Sequence, residues 1–413
     1  MATNFPASLD SLTNPTSTDS LTSPSHAGQH ADANDAIEAL QAKVGVNSSA
    51  VTSSLDYKVE GLLAVSQSNR NVIINGAMQV AQRGTSVTGI TTTGYRTVDR
   101  FLEVLSSLGT WTQSVENDAP TGSGFRKSVK MLCTTADAAP TGADEHYFTQ
   151  IIEGQNVQQF LKGTASAKQF SLSFWVKSNV TGTFIAELYD ADHNRQCSKS
   201  YTISAADTWE KKTITFPADT TGAFDNDNGA SLYVIFWLGA GGNLTSGTLN
   251  TSWASSTTAN RAVGQTNVGA ATNNYWQMTG VQLEAGAVAT PFEFEDIGTT
   301  LAKCQRYYFL LATGASTTSF GMGANITATE MQGQIHFPVT MRSAPSLVAS
   351  SGTNYYGFVR NSADDFFNSL TITQAGTNGA CVVNATEISG TAGHAGRLYA
   401  NDASASIAFN SEL

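Results

Sequence analysis

The chain has 413 residues, with 33 acidic against 22 basic side chains for a net charge of −11, 41% hydrophobic residues and only 13% charged ones. That hydrophobic share can build cores and excludes global disorder, while scattered cations on an acidic chain argue against a nucleic-acid partner, whose phosphates need clustered Lys and Arg. No apolar run reaches the roughly 18 residues of a membrane span, and the first residues lack the charged-then-apolar layout of a secretory signal, so no membrane insertion is expected.

The chain begins with a short imperfect repeat, Asp10-Ser11-Leu12-Thr13-Asn14-Pro15 and then Asp19-Ser20-Leu21-Thr22-Ser23-Pro24. A segment this rich in Pro, Ser and Thr cannot build its own core. Residues 1–24 are therefore expected to run extended along another protein, with Leu9, Leu12, Pro15, Leu21 and Pro24 as contacts. From His26 the pattern changes to heptad spacing: His26, His30, Ala33, Ile37, Leu40 and Val44 fall on one stripe of a short helix. Ser25 can cap it and Gly45 can close it. So short a helix is marginal alone, which predicts an oligomer seam, three-stranded by expectation although the spacing also suits two strands. In a trimer His26 and His30 would each place three imidazoles around the axis, a geometry that can hold a metal or an anion. The plainer reading makes them polar seam positions that set register. Residues 25–70 are read as this helix and a linker.

Residues 71–297 read as β: short apolar alternations separated by Gly, Asn, Asp, Thr and Ser clusters. Phe170, Leu172, Phe174 and Val176 alternate with Ser171, Ser173 and Trp175. Leu232, Val234, Phe236 and Leu238 alternate with Tyr233, Ile235 and Trp237. Both strands thus carry a second face that is partly apolar, to be covered by a sheet, a neighbouring subunit or a ligand. Further strands are expected at 72–81, 128–133, 147–153, 183–190, 211–216 and 275–284. A long polar excursion runs from Gly239 to Asn274. Many short strands with little amphipathic helix predict a jelly-roll sandwich.

Residues 298–413 read as a smaller β-sandwich. Leu301, Cys304, Tyr308 and Leu311 fit a helical turn, and Tyr307 to Leu311 fit a strand equally well. Strands are expected at 319–328, 333–341, 354–360, 380–388 and 404–411. The fold class is mainly β: an extended arm, a short coiled-coil helix, a jelly roll and a distal β-sandwich. Cys133, Cys197, Cys304 and Cys381 lie far apart without metal-ligand spacing and read as small hydrophobes.

Ser8 to Pro15 together with Pro24 to Val46 resembles the N-terminal attachment region of fibre-type structural proteins of tailed bacteriophages. The middle is similar to carbohydrate-binding-module-like jelly rolls of such fibres, through Asn75-Gly76, Tyr95-Arg96-Thr97-Val98-Asp99-Arg100-Phe101, and Val281-Gln282-Leu283-Glu284-Ala285-Gly286 leading to Thr290-Pro291-Phe292-Glu293. Cys304-Gln305-Arg306-Tyr307-Tyr308 and Phe337-Pro338-Val339-Thr340-Met341-Arg342-Ser343-Ala344-Pro345 look like the distal domain. The resemblance implies a homotrimeric virion fibre, docked to a tail or head protein through residues 1–46, whose β-domains meet a bacterial surface polysaccharide. It also leaves room for a structural calcium near Asn75 or Glu284, with no other cofactor.

No catalytic signature is present, and the chain is read as a non-enzyme. The catalytic rival is a glycoside hydrolase, which needs paired carboxylates; Glu187, Asp190 and Asp192, or Glu284, Glu293, Glu295 and Asp296, are its candidates. The run Asn226-Asp227-Asn228-Gly229 reads as a turn. Sugar recognition relies on aromatic faces flanked by amides and carboxylates. The candidates are Trp175, Tyr233, Trp237, Trp253, Tyr275 and Trp276, with Tyr355 and Tyr356 in the distal domain. Trp209 is assigned to the core. A purely structural or head-decorating fibre is the alternative, in which the same aromatics pack cores or subunit contacts.

Overall fold

The computed structural model of the chain describes residues 18, 22, 26–46, 51–59, 69–314 and 318–413. The expected arm contacts Leu9, Leu12, Pro15, Leu21 and Pro24, and the cap Ser25, lie outside the described residues. The heptad stripe forms helix α1, His26–Val44, closed by Gly45 at φ 85°, whose N–H donates to the Gln41 carbonyl at 2.9 Å. The helix buries none of its residues, and Ile37, Leu40 and Val44 are 53%, 52% and 45% exposed. Among the described residues no helix is long and apolar enough to cross a membrane.

The first sandwich comprises β1 (Ser86–Ile90), β2 (Gly94–Tyr95), β3 (Phe101–Ser106), β4 (Thr110–Glu116), β5 (Ser128–Thr135), β6 (Glu145–Glu153), β7 (Phe170–Ser178), β8 (Gly182–Asp190), β9 (Arg195–Ile203), β10 (Glu210–Phe216), β11 (Ala230–Ala240), β12 (Ala254–Ser255) and β13 (Tyr275–Ala285). A six-stranded sheet of order β1-β4-β5-β13-β7-β10 packs on a seven-stranded sheet of order β12-β9-β8-β11-β6-β3-β2. The alternation does the sorting: Phe170, Leu172, Phe174 and Val176 of β7 meet Leu232, Val234, Phe236 and Leu238 of β11 in one core.

The strand expected at 72–81 does not form. Asn75 and Met78 sit at φ 61° and 56°, left-handed conformations that interrupt the extended run within four residues. Asn75 instead closes a buried turn: its amide donates to the Val80 and Asp99 carbonyls at 2.8 and 3.2 Å, and its Oδ1 accepts from Gln79 and Val80 at 2.9 and 3.0 Å. Conversely, β3 and β4 escaped the pattern because polar residues occupy core positions. Glu103, Gln113 and His146 are fully buried and joined by hydrogen bonds, with Glu103 accepting from Gln113 at 3.0 Å and paired to His146 at 3.0 Å.

The second unit opens with α2 (Ile297–Gln305), whose first N–H groups Asp296 accepts. It continues with β14 (Tyr308–Thr313), β15 (Thr318–Asn325), β16 (Met331–His336), β17 (Ser346–Ala349), β18 (Tyr356–Arg360), β19 (Ala363–Phe367), β20 (Thr371–Thr373), β21 (Gly379–Asn384), β22 (Ala395–Ala400) and β23 (Ser406–Asn410). Sheets of order β14-β23-β17 and β19-β18-β22-β15-β16-β21-β20 enclose its core. The expected strands 319–328, 333–341 and 380–388 end earlier, at Asn325, His336 and Asn384, while β17, β19, β20 and β22 were not expected.

A polar joint ties the two sandwiches together. Arg100, 1% exposed at φ 74°, pairs with Glu412, donates to the Ile151 carbonyl at 2.7 Å and lies 3.4 Å from the Tyr307 ring centre. Arg83 lies 3.6 Å from the Tyr308 ring centre and 3.2 Å from Glu412. Arg306 grips Glu153 with two bonds of 2.8 and 2.7 Å, and Tyr307 donates to the same carboxylate. Arg342 holds the Ser411 and Glu412 carbonyls at 2.7 and 3.0 Å and the Asn228 carbonyl at 3.2 Å. Stretches around Asp99-Arg100, Arg306-Tyr307-Tyr308 and Arg342 therefore encode the joint between the domains.

Candidate functional site

The outer face of the six-stranded sheet is built by residues out of phase with the core. In β7 these are Ser171, Ser173, Trp175 and Lys177. Trp175 stands opposite Lys211 of β10 and Thr279 of β13, and Lys177 opposite Gln277, which itself faces Lys130 of β5. Trp209 enters β10 with the parity of Lys211, Thr213 and Thr215 rather than that of Ile214 and Phe216. It is half-buried, its indole N–H donates to Asp118 at 3.2 Å, and the Lys177 ammonium lies 5.5 Å from its ring centre. The assignment of Trp209 to the core is thus corrected by its strand parity.

Asp118 organises this face. It accepts from Lys177, from the Trp209 indole and from Gln277 at 3.2 Å. Partial burial pushes its carboxyl upward, but these donors prevail and hold it below the usual carboxylate range. Tyr275 lies beyond, with the Lys130 ammonium 4.5 Å from its ring centre and its hydroxyl donating to Asp207 at 2.6 Å. The other half of the face is covered. Phe125, Phe292 and Phe294 cluster over Gly280, where any Cβ would strike the Phe125 ring. Trp175, Trp209 and Tyr275 thus remain half-buried on the uncovered part, beside ammonium, amide and carboxylate groups.

The outer face of the seven-stranded sheet carries Tyr147, Ile185, Tyr189, Tyr233, Ile235 and Trp237, with Leu244 and Ala262 of the long excursion packed on it. Arg261 inserts from that excursion. Its Nε donates to Glu187 at 2.9 Å, Glu187 also accepts the Trp237 indole N–H at 2.9 Å, and the guanidinium stands 5.1 Å from the Trp237 ring and 5.7 Å from Tyr189. Burial pushes the Glu187 carboxyl up while Arg261 opposes it. The chain itself supplies the cover that the second face of β11 required.

The aromatic candidates therefore separate. Trp175 and Tyr275 share the uncovered face with Trp209, while Tyr233 lies on the opposite side of the sandwich, half-buried against Tyr189. Trp237, Trp276 and Tyr356 are fully buried, so as sugar-stacking residues they are corrected: each ring is enclosed in packing. Trp253 is half-buried, its indole donates to the Pro217 carbonyl at 2.8 Å, and it packs on Phe170. Tyr355 packs against the distal core.

The carboxylate candidates are all engaged in structural bonds. Asp190 pairs with the buried Lys162 ammonium at 2.6 Å, which also reaches Asp219 at 3.2 Å and two backbone carbonyls. Asp192 accepts from the Asp225 N–H, Glu293 from Asn69 and Asn71, and Glu295 pairs with Lys303. Asp190, Asp192 and His193 bring ligand atoms within 4.8 Å of one another, but Lys162 already supplies the cation there. The suggested calcium neighbours are likewise occupied, Asn75 by the turn and Glu284 by Thr290, Gln282 and Arg70. A cavity of about 610 Å³ is lined by residues of 69–74 and 303–307 among others, and its cations are engaged, Arg70 with Glu284 and Thr290, Lys303 with Glu295 and Arg306 with Glu153.

Solved structures similar to part of the chain include a phage tailspike and carbohydrate-binding modules. Bacteriophage CBA120 tailspike protein 4, in its enzymatically active domain, aligns at 15% identity over 52% of this chain and 21% of that one, with a TM-score of 0.29. The module TmCBM61, in complex with β-1,4-galactotriose, aligns at 9% identity over 52% of this chain and 99% of that one, with a TM-score of 0.27. The family 11 carbohydrate-binding module of the cellulosomal cellulase Lic26A-Cel5E of Clostridium thermocellum aligns at 13% identity over 49% of this chain and 97% of that one, at a TM-score of 0.24. No protein-family description matches the chain, and no curated protein does. Likenesses this distant leave the functional reading to the residues themselves.

Proposed function

We propose that this chain is a non-catalytic virion fibre subunit whose jelly roll binds a bacterial surface polysaccharide through the face bearing Trp175, Trp209 and Tyr275. The observation that carries the reading is that these rings stay half-buried beside Lys130, Lys177, Lys211, Asp118 and Gln277, whereas on the opposite face the excursion carrying Leu244, Arg261 and Ala262 packs over Ile185, Ile235 and Trp237 and, of the rings there, leaves tyrosines alone half-buried at its margin. A ring face can lie on the apolar side of a pyranose while ammonium, amide and carboxylate groups bond its hydroxyls. The occupied carboxylates support the non-catalytic reading. The exposed stripe of α1 supports assembly with further copies of the chain, three in this reading, and residues 1–46 would dock that assembly to a tail or head protein. Linked copies would strengthen a shallow, individually weak site.

The test is adsorption competition with the purified full chain, added to host cells before the virus particles that carry it. Dose-dependent loss of adsorption is expected, together with loss of that inhibition in a Trp175→Ala, Trp209→Ala variant that keeps its native mass. A correctly assembled chain that neither binds cells nor competes overturns the receptor reading in favour of a structural or decorating fibre. Release of reducing ends from host polysaccharide would overturn the non-catalytic one.

A further inference from the structure

The two histidines that open α1 are arranged more specifically than a polar seam requires. His26 and His30 lie one turn apart, both exposed, with their Nε2 atoms 3.2 Å apart and their rings edge-on at 4.5 Å between centres. The i, i+4 spacing puts both side chains over the same helical turn. Two nitrogens each about 2.1 Å from one ion stand about 3.4 Å apart in tetrahedral geometry and about 3.0 Å apart in octahedral geometry. The observed separation, that of a hydrogen bond shared by the two Nε2 atoms, falls between these values, and an ion that displaces the shared proton would find both nitrogens at chelating distance from each other. Two of the other described imidazoles have different neighbours: His146 is buried against Glu103 and Trp111, and His193 lies beside Asp190.

We propose that His26 and His30 form a two-nitrogen chelate for a late first-row divalent ion such as Zn²⁺, completed by the same pair from another copy of the chain across the helix seam. Imidazole is a preferred donor for these ions, and affinity rises along the series toward copper. Completion by another copy rests on the seam reading; the chelate itself does not. Two copies would supply four nitrogens, enough for tetrahedral Zn²⁺, and three copies would supply six, enough for an octahedral ion. Bound metal would then strengthen a seam in which only Ile37, Leu40 and Val44 offer sizeable apolar area.

The experiment is calorimetric titration of the full chain with Zn²⁺, comparing the natural sequence with a His26→Gln, His30→Gln variant and with His193→Gln as a control for the Asp190 cluster. The paired variant should lose at least about tenfold in affinity at the tightest site, while His193→Gln retains it. Since α1 buries no residue, thermal unfolding of the β-domains should be unchanged in the variant. Zn²⁺ binding that is the same in the paired variant and the natural chain overturns the proposal. Copper loading followed by electron paramagnetic resonance counts the nitrogens, and native mass reports assembly. Four or more nitrogens with a metal-dependent gain in mass support both parts of the proposal. Two nitrogens at unchanged mass keep the chelate and overturn its completion by another copy.

Discussion

The two outer faces of the jelly roll begin from similar material and end differently. Each belongs to a twisted antiparallel sheet over the same core, and each carries aromatic side chains on the strand parity opposite to that core. On the seven-stranded sheet the excursion after β11 folds back, and Arg261 reaches Glu187 beneath the tyrosines. On the six-stranded sheet the phenylalanine cluster covers one half, leaving Trp175, Trp209 and Tyr275 at the surface with their polar neighbours. An aromatic on the outer face is thus a recognition candidate only where no other segment of its own chain lies over it. Burial of Trp237 and half-exposure of Trp175 follow from chain routing, since their strand contexts are alike.

The sealed face should therefore answer to mutation through stability. Arg261→Ala leaves the Glu187 carboxylate buried without its ion pair, a loss worth about 3 kcal/mol. Thermal unfolding of the jelly roll should fall accordingly, and Glu187→Gln in the same chain should restore part of it. An unchanged melting temperature for Arg261→Ala would mean that the excursion is not latched and that this face can open. The joint between the domains offers a comparison in carboxylates. Asp118 on the uncovered face is held low by its donors, whereas burial lifts Asp99 to about 6, against the hydrogen bonds of Gln82 and the charge of Arg83. A raised folded-state value means that the folded chain binds this proton more tightly than the unfolded chain does. The contribution is complete below the unfolded value near 4 and is lost as pH rises through about 6, amounting to about 3 kcal/mol. Denaturant unfolding between pH 4 and pH 7 should show that decline in the natural chain and a flatter profile in Asp99→Asn. Parallel profiles would place the pH dependence elsewhere.

Much of this arrangement was legible in the alternation of β7 and β11, and the heptad stripe located α1 with its closing glycine. Parity also held the evidence for Trp209, which steps with Lys211 and Thr213, but a tryptophan beside Ile214 and Phe216 attracts a core assignment on hydrophobicity alone. Glu103 and Gln113 concealed β3 and β4 because a polar side chain at a core position breaks the pattern unless its partner is known, and those partners lie on other segments: each other from opposite sheets, and for Glu103 also His146, more than 30 residues away in the chain. The turn at Asn75 mimicked a strand because its flanking residues are apolar; only the hydrogen bonds closed by its side chain distinguish the two. Routing of the excursion over Tyr189 and Trp237 depends on long-range contacts such as Arg261 with Glu187, which local periodicity does not encode.

The smallest effect separates the two faces most cleanly. Trp175→Ala removes a half-exposed ring flanked by Lys211 and Thr279, with no hydrogen bond of its own to lose, so stability should change by less than about 1 kcal/mol. If the six-stranded face holds the glycan, binding to host cells should nevertheless fall about tenfold, the scale expected when one aromatic anchor is truncated. Tyr189→Ala on the opposite face supplies the control. It also removes a half-buried ring, one that donates to Asn194 at 3.1 Å, and should leave cell binding within about twofold of the natural chain. Cell-binding isotherms of the two variants at matched native mass decide the matter. A larger loss for Tyr189→Ala would move recognition to the exposed edge of the sealed face, where Tyr189 and Tyr233 meet. Equal and negligible losses would leave both faces as packing surfaces, because the ring difference between them would then have no counterpart in recognition.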